Sequence, residues 1–78
     1  ELMEAYAIQS ILCAKYSGAP IEKINPFGGA ISRGHPIGAS GAILAVRLFH
    51  ALKAPHRIGL AAIAGAGGLA SVLLLKKT

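Results

Sequence analysis

Residues 58–75 read IGLAAIAGAGGLASVLLL, eighteen positions without a charge. Two structures compete for such a run. A transmembrane helix needs about 18–20 apolar residues, and His56-Arg57 and Lys76-Lys77 would suit its flanks. The alternative is a pair of buried strands, IGLAAIA and ASVLLL, joined at Gly65-Ala66-Gly67-Gly68. A hydrocarbon-spanning helix tolerates glycine, but a GxGG cluster at its centre fits a turn better. The run therefore predicts a terminal antiparallel hairpin.

Working back from the hairpin, residues 37–53 predict a helix. Pro36 suits its opening, where a missing N–H is no loss. The first turns, Gly38-Ala39-Ser40-Gly41-Ala42, are all small, and Ile43, Val46, Leu48, Phe49 and Leu52 follow as apolar bulk. Only Ser40, Arg47 and His50 interrupt them, so this helix is expected to be buried over most of its circumference. Residues 25–41, NPFGGAISRGHPIGASG, hold five of the ten glycines and two of the four prolines, and predict irregular backbone. Before them, EKIN at 22–25 is a short strand candidate. Residues 3–16 contain neither Gly nor Pro and predict a helix, closed by Gly18 and Pro20. The order helix, strand, Gly loop, helix, strand, strand implies an α/β layer with a mixed sheet.

Composition narrows the function. The 78 residues are 54% hydrophobic and 14% charged. A domain of this size buries only about 60% of its unfolded surface. So few charges, and a first residue that is not Met, predict a piece of a larger protein. The net charge is +5, yet its cations are scattered, and aromatic residues are too few to stack bases. Neither nucleic acid nor membrane is expected as a partner, whereas an anionic substrate fits the charge. The single cysteine, Cys13, excludes an intrachain disulfide and is consistent with a cytoplasmic setting. Flanked by Leu12 and Ala14, it reads as a core thiol. The histidines and Cys13 show no ligand spacing for a metal.

The residue best placed for chemistry is His35, between Gly34 and Pro36 and just ahead of a helix. A neutral imidazole there can donate Nε2–H to a carbonyl oxygen or accept a thiol proton. His50 and His56 read as solvent-facing. Gly65-Ala66-Gly67-Gly68 offers backbone N–H groups that a ligand can approach closely.

The stretch GGAISRGHPIGASGA at 28–42 closely resembles the signature around the catalytic histidine of the thiolase family. Met3-Glu4-Ala5-Tyr6-Ala7 resembles the family's NEAFA segment, and residues 59–68 resemble its final glycine-rich segment. The resemblance covers almost the whole chain, in register. It implies a βαβαββ half-domain lacking most of its first strand, in a protein built from two such halves. It further implies an acyl-CoA C-acyltransferase, with an acyl-CoA thioester as substrate and no tightly bound cofactor. The nucleophilic cysteine would lie in the remaining N-terminal part, assembly would be as a homodimer or homotetramer, and His35 would be the catalytic histidine. His35 and the Gly65–Gly68 turn must then face one thioester, with the Ala66 N–H as an oxyanion donor.

Three family positions are substituted. The proton-moving cysteine falls on Ala64, the asparagine that holds a water falls on Met3, and a polar residue before the paired glycines falls on Phe27. Met and Phe cannot replace the lost hydrogen bonds. This chain alone is not expected to be a competent enzyme, and Ala64 puts carbon–carbon bond chemistry in doubt. A degenerate thiolase-fold protein that binds acyl-CoA is the alternative, and a small membrane protein a distant third.

Overall fold

The computed structural model describes all residues, Glu1–Thr78. Helix α1 spans Ala7–Ser17, a 3-10 turn spans Ile21–Lys23, and a four-residue helix α2 spans Ala30–Arg33. Helix α3 spans Ile37–Ala51, and strands β1 and β2 span Ile58–Ala64 and Ala70–Lys76. The charge-free run is the hairpin: β1 and β2 pair antiparallel from Ile58↔Lys76 to Ala64↔Ala70. Gly67 and Gly68 carry φ of 77° and 78°, a left-handed pair that side chains resist. The Gly65 N–H donates to Leu69 O and closes the loop. The transmembrane reading falls with this, since no helix is long and apolar enough to cross a membrane.

The sheet is mixed because the first residues run beside β1 in parallel. The Glu1 backbone nitrogen donates to Leu60 O, Ala62 N–H to Glu1 O and Met3 N–H to Ala62 O. That pairing is why α1 starts at Ala7 and not at residue 3: backbone committed to a sheet edge cannot also close helical turns. Gly18, with φ 71°, ends α1 where predicted.

One face of the sheet packs on α3. Met3, Leu44, Leu48 and Ala61 form the buried core, bordered by Ala30, Leu52, Ile63 and Leu75. The helix sits close. A Cβ built on Gly59 would lie 2.4 Å from Leu48 Cδ1, so the missing side chain is what admits Leu48. Leu48 and Leu52 lie against Gly59, while Gly41 and Leu44 lie beside Ala61–Ile63. Helix α3 therefore runs antiparallel to β1. Its N-terminus and the Gly65–Gly68 turn fall at the same end of the layer.

Several expectations need correction. Residues 22–25 are not a strand. Lys23 N–H reaches back to Pro20 O and Ile24 N–H to Ile21 O, and no neighbouring strand offers those groups a ladder. The glycine-rich segment is not wholly irregular, because ISR with Ala30 closes the turn α2. Helix α3 stops at Ala51, two residues early. It is buried only along Ser40, Leu44 and Leu48, a single i, i+4, i+8 stripe, leaving Ile37, Val46 and Phe49 exposed.

Candidate functional site

His35 lies one residue before Pro36, the N-cap of α3, where the chain leaves the left-handed Gly34. One turn into the helix, Ser40 is buried with 3% of its surface exposed. The two side chains meet, with His35 Nδ1 2.5 Å from Ser40 Oγ. Ser40 Oγ also donates to Pro36 O at 3.0 Å. A hydroxyl has one hydrogen and two acceptor lone pairs. With its hydrogen on Pro36 O, Ser40 is left as an acceptor for Nδ1–H. The Nε2 lone pair then faces away from the helix, on an exposed ring.

The segment that delivers His35 is held by side chains. Asn25 is buried and adopts φ 45°, a conformation asparagine tolerates better than most residues. Its Oδ1 accepts Leu2 N–H at 2.7 Å, and its Nδ2 donates to Leu2 O at 2.8 Å and Glu4 Oε2 at 2.9 Å. The amide thus acts as one residue of a neighbouring strand for the free edge at Leu2. Glu4 Oε1 accepts Ile31 N–H at 3.1 Å, placing a carboxylate on the first turn of α2. Gly29 makes room for it, since a Cβ there would lie 2.3 Å from the Glu4 carboxyl carbon. The Arg33 guanidinium donates to Phe27 O. From α3, Arg47 donates to Gly28 O and pairs with Glu1, its Nε 3.2 Å from Oε2.

The other candidate positions divide between the hairpin end, the core and the exposed surface. Ala66 sits at the exposed tip of the hairpin, and its N–H is spent on no hydrogen bond within the chain. Ala64 ends β1 opposite Ala70. Met3 has become core, 3% exposed, while the Phe27 side chain is exposed. Cys13 is not a core thiol. It is exposed on α1, a helix that buries no residue, and Gln9 Nε2 donates to its sulfur at 3.4 Å. His50 and His56 are exposed as expected. Asn25, Glu4 and the partnership of Ser40 with His35 were not foreseen as site contacts. The five-residue spacing from His35 to Ser40 was the available signal, since it spans the N-cap and one turn.

The chain matches the family model described as thiolase, C-terminal domain, over residues 1–77. It is similar to mitochondrial acetyl-CoA acetyltransferase of Mus musculus, with 46% identity over 77 residues, covering 99% of this chain and 18% of that protein. It is also similar to a putative acetyl-CoA C-acetyltransferase of Bacillus subtilis, at 44% over 78 residues, covering 97% and 21%. A probable acetyl-CoA acyltransferase of Staphylococcus aureus is 44% identical over 77 residues, covering 99% and 20%. The chain thus spans about a fifth of the length of these relatives. No solved structure matches it.

Proposed function

The chain belongs to the thiolase C-terminal domain family, and from that premise we propose that it supplies the histidine of an acyl-CoA C-acyltransferase whose cysteine nucleophile lies outside these residues. The observation that carries this reading is the His35–Ser40 pair, which commits Nδ1 to the helix and leaves Nε2 as a proton acceptor. In the acylation step, Nε2 takes the thiol proton of the cysteine. The thiolate attacks the thioester carbonyl, the carbon–sulfur bond to coenzyme A breaks, and the departing thiolate recovers the proton from His35. The free Ala66 N–H, at the same end of the layer, is the donor for the oxyanion that forms on the way.

Acyl transfer needs no base at the substrate α-carbon; carbon–carbon bond chemistry does. Ala64 has no titratable group for that step, so the two half-reactions separate in this protein. Loss of one acid/base group costs about 10²- to 10⁴-fold. That favours the second reading, a thiolase-fold protein that binds and accepts acyl groups without condensing them. A homo-oligomeric assembly in a cytoplasmic setting completes the proposal.

The test uses the full-length protein that contains this chain. Labelled acyl-CoA should give a covalent acyl-enzyme, and thiolysis of acetoacetyl-CoA should be slow. His35→Ala should abolish acyl-enzyme formation, and Ala64→Cys should raise turnover. Brisk thiolysis with Ala64 in place would show that another group moves the proton and would overturn the assignment. Met3→Asn is not a useful companion, because it would put an amide into the apolar core.

A further inference from the structure

Ser40 and Arg47 lie seven residues apart on α3, two turns along one face and about 10 Å in rise. Each takes one end of the glycine loop. Arg47 holds Gly28 O, and Ser40 holds the His35 ring seven residues later. Together with Met3, Gly29, Arg33 and Gly34 they line a cavity of about 240 Å³ under the loop. No other hydrogen bond joins residues 25–34 to α3. Gly34 carries φ 98° and donates its N–H to Ala30 O, so the chain turns out of α2 immediately before His35. We propose that Arg47 is a positioning residue for His35: by fixing Gly28 O two turns below Ser40, it sets the angle at which the loop presents the imidazole.

Burial, which a Gln in place of Glu1 would keep, confines the Arg47 side chain. Both the Arg47 and Glu1 side chains are largely buried, 16% and 2% exposed, so the guanidinium is not free to wander. Its Nη2 donates to the Gly28 carbonyl, while its charge faces the Glu1 carboxylate, whose Oε2 lies 3.2 Å from Nε without accepting a hydrogen bond. A lysine in its place would keep a cation beside Glu1 but could not hold that geometry. Arg47→Lys therefore separates positioning from folding. Arg47→Met does not, because it strands a buried carboxylate.

The inference rests on His35 being the catalytic histidine, and its test is built so the two can fail separately. In the full-length protein, with histidine rings 13C-labelled and the His35 signal assigned by its loss in His35→Gln, Arg47→Lys should shift that signal. It should also slow acyl-enzyme formation at saturating acyl-CoA by roughly 10- to 100-fold, with KM within about twofold, as misplacing a catalytic group does. Glu1→Gln, which keeps the Gly28 contact, should move neither by more than about twofold. An unshifted His35 signal in Arg47→Lys overturns the proposal, as does a Glu1→Gln variant equally impaired, which would make the ion pair and not the Gly28 bond the operative contact. If the unsubstituted protein forms no acyl-enzyme, the functional reading fails, and the ring signal alone still decides the role of Arg47.

Discussion

Helix α1 and the glycine-rich loop from Asn25 to Gly34 are close in length and opposite in how they are held. The helix satisfies its own backbone, buries no residue, and exposes Tyr6, Ile8, Ile11 and Tyr16. The loop closes two short turns of its own, at Asn25–Gly28 and at α2, and side chains supply the rest: Glu4 accepts from Ile31 N–H, Arg33 and Arg47 donate to Phe27 O and Gly28 O, and the Asn25 amide ties the loop to Leu2. A backbone that cannot pair with itself must be paired by side chains when it is covered. Those side chains then fix it more tightly than periodicity would. The more regular segment is the one the rest of the chain constrains least.

The sharpest way to break that contrast is at Asn25. Replacing it by Ala removes three hydrogen bonds, strips the partner from the Leu2 edge, and puts a less tolerant residue at φ 45°. Leaving buried groups unsatisfied costs about 1–3 kcal/mol each at most, and we expect about 3 kcal/mol in all. A domain whose core is Met3, Leu44, Leu48 and Ala61 does not survive such a loss. The amide spectrum of Asn25→Ala should collapse to the unfolded range. A dispersed spectrum would mean that the sheet, not the amide, holds the loop.

Gly29→Ala should have the next largest effect. The new methyl would meet the Glu4 carboxyl group, and overpacking of this kind costs about 1–3 kcal/mol. Adding Glu4→Ala removes the obstruction, so in urea unfolding the double variant should lose less than the sum of the two single losses. Strict additivity would show that Glu4 and Gly29 do not share the space.

The hairpin was legible to within one residue, β2 running on to Lys76, because a charge-free run cut by GxGG leaves few alternatives. The start of α3 and the end of α1 were legible for the same local reason, a Pro and a left-handed Gly. What escaped was set at long range. EKIN has the composition of a strand, but the 3-10 turn prevails without a neighbour to pair with. Residues 3–6 carry no helix breaker, yet Met3 is committed to β1, nearly sixty positions away. The site divides likewise. His35 was readable from its Gly and Pro neighbours, whereas Asn25 acts through Leu2, and no local pattern marks a side chain that stands in for a strand.

The smallest effects belong to α1, and they test the other half of the contrast. Ile11 is 62% exposed, and α1 contributes no residue to the buried core. Cutting Ile11 back to Ala removes little from the folded state, and Ala is the better helix former. The change in stability of the 78-residue chain should stay within about 0.5 kcal/mol. Ala14→Gly alters backbone freedom instead, and in a helix held by its own hydrogen bonds it should cost about 1 kcal/mol of local stability. Hydrogen exchange of the α1 amides reads both. If local propensity holds the helix, protection falls in Ala14→Gly and hardly moves in Ile11→Ala. The reverse order would mean that Ile11 packs against something, and α1 would then be anchored by side chains as the glycine loop is.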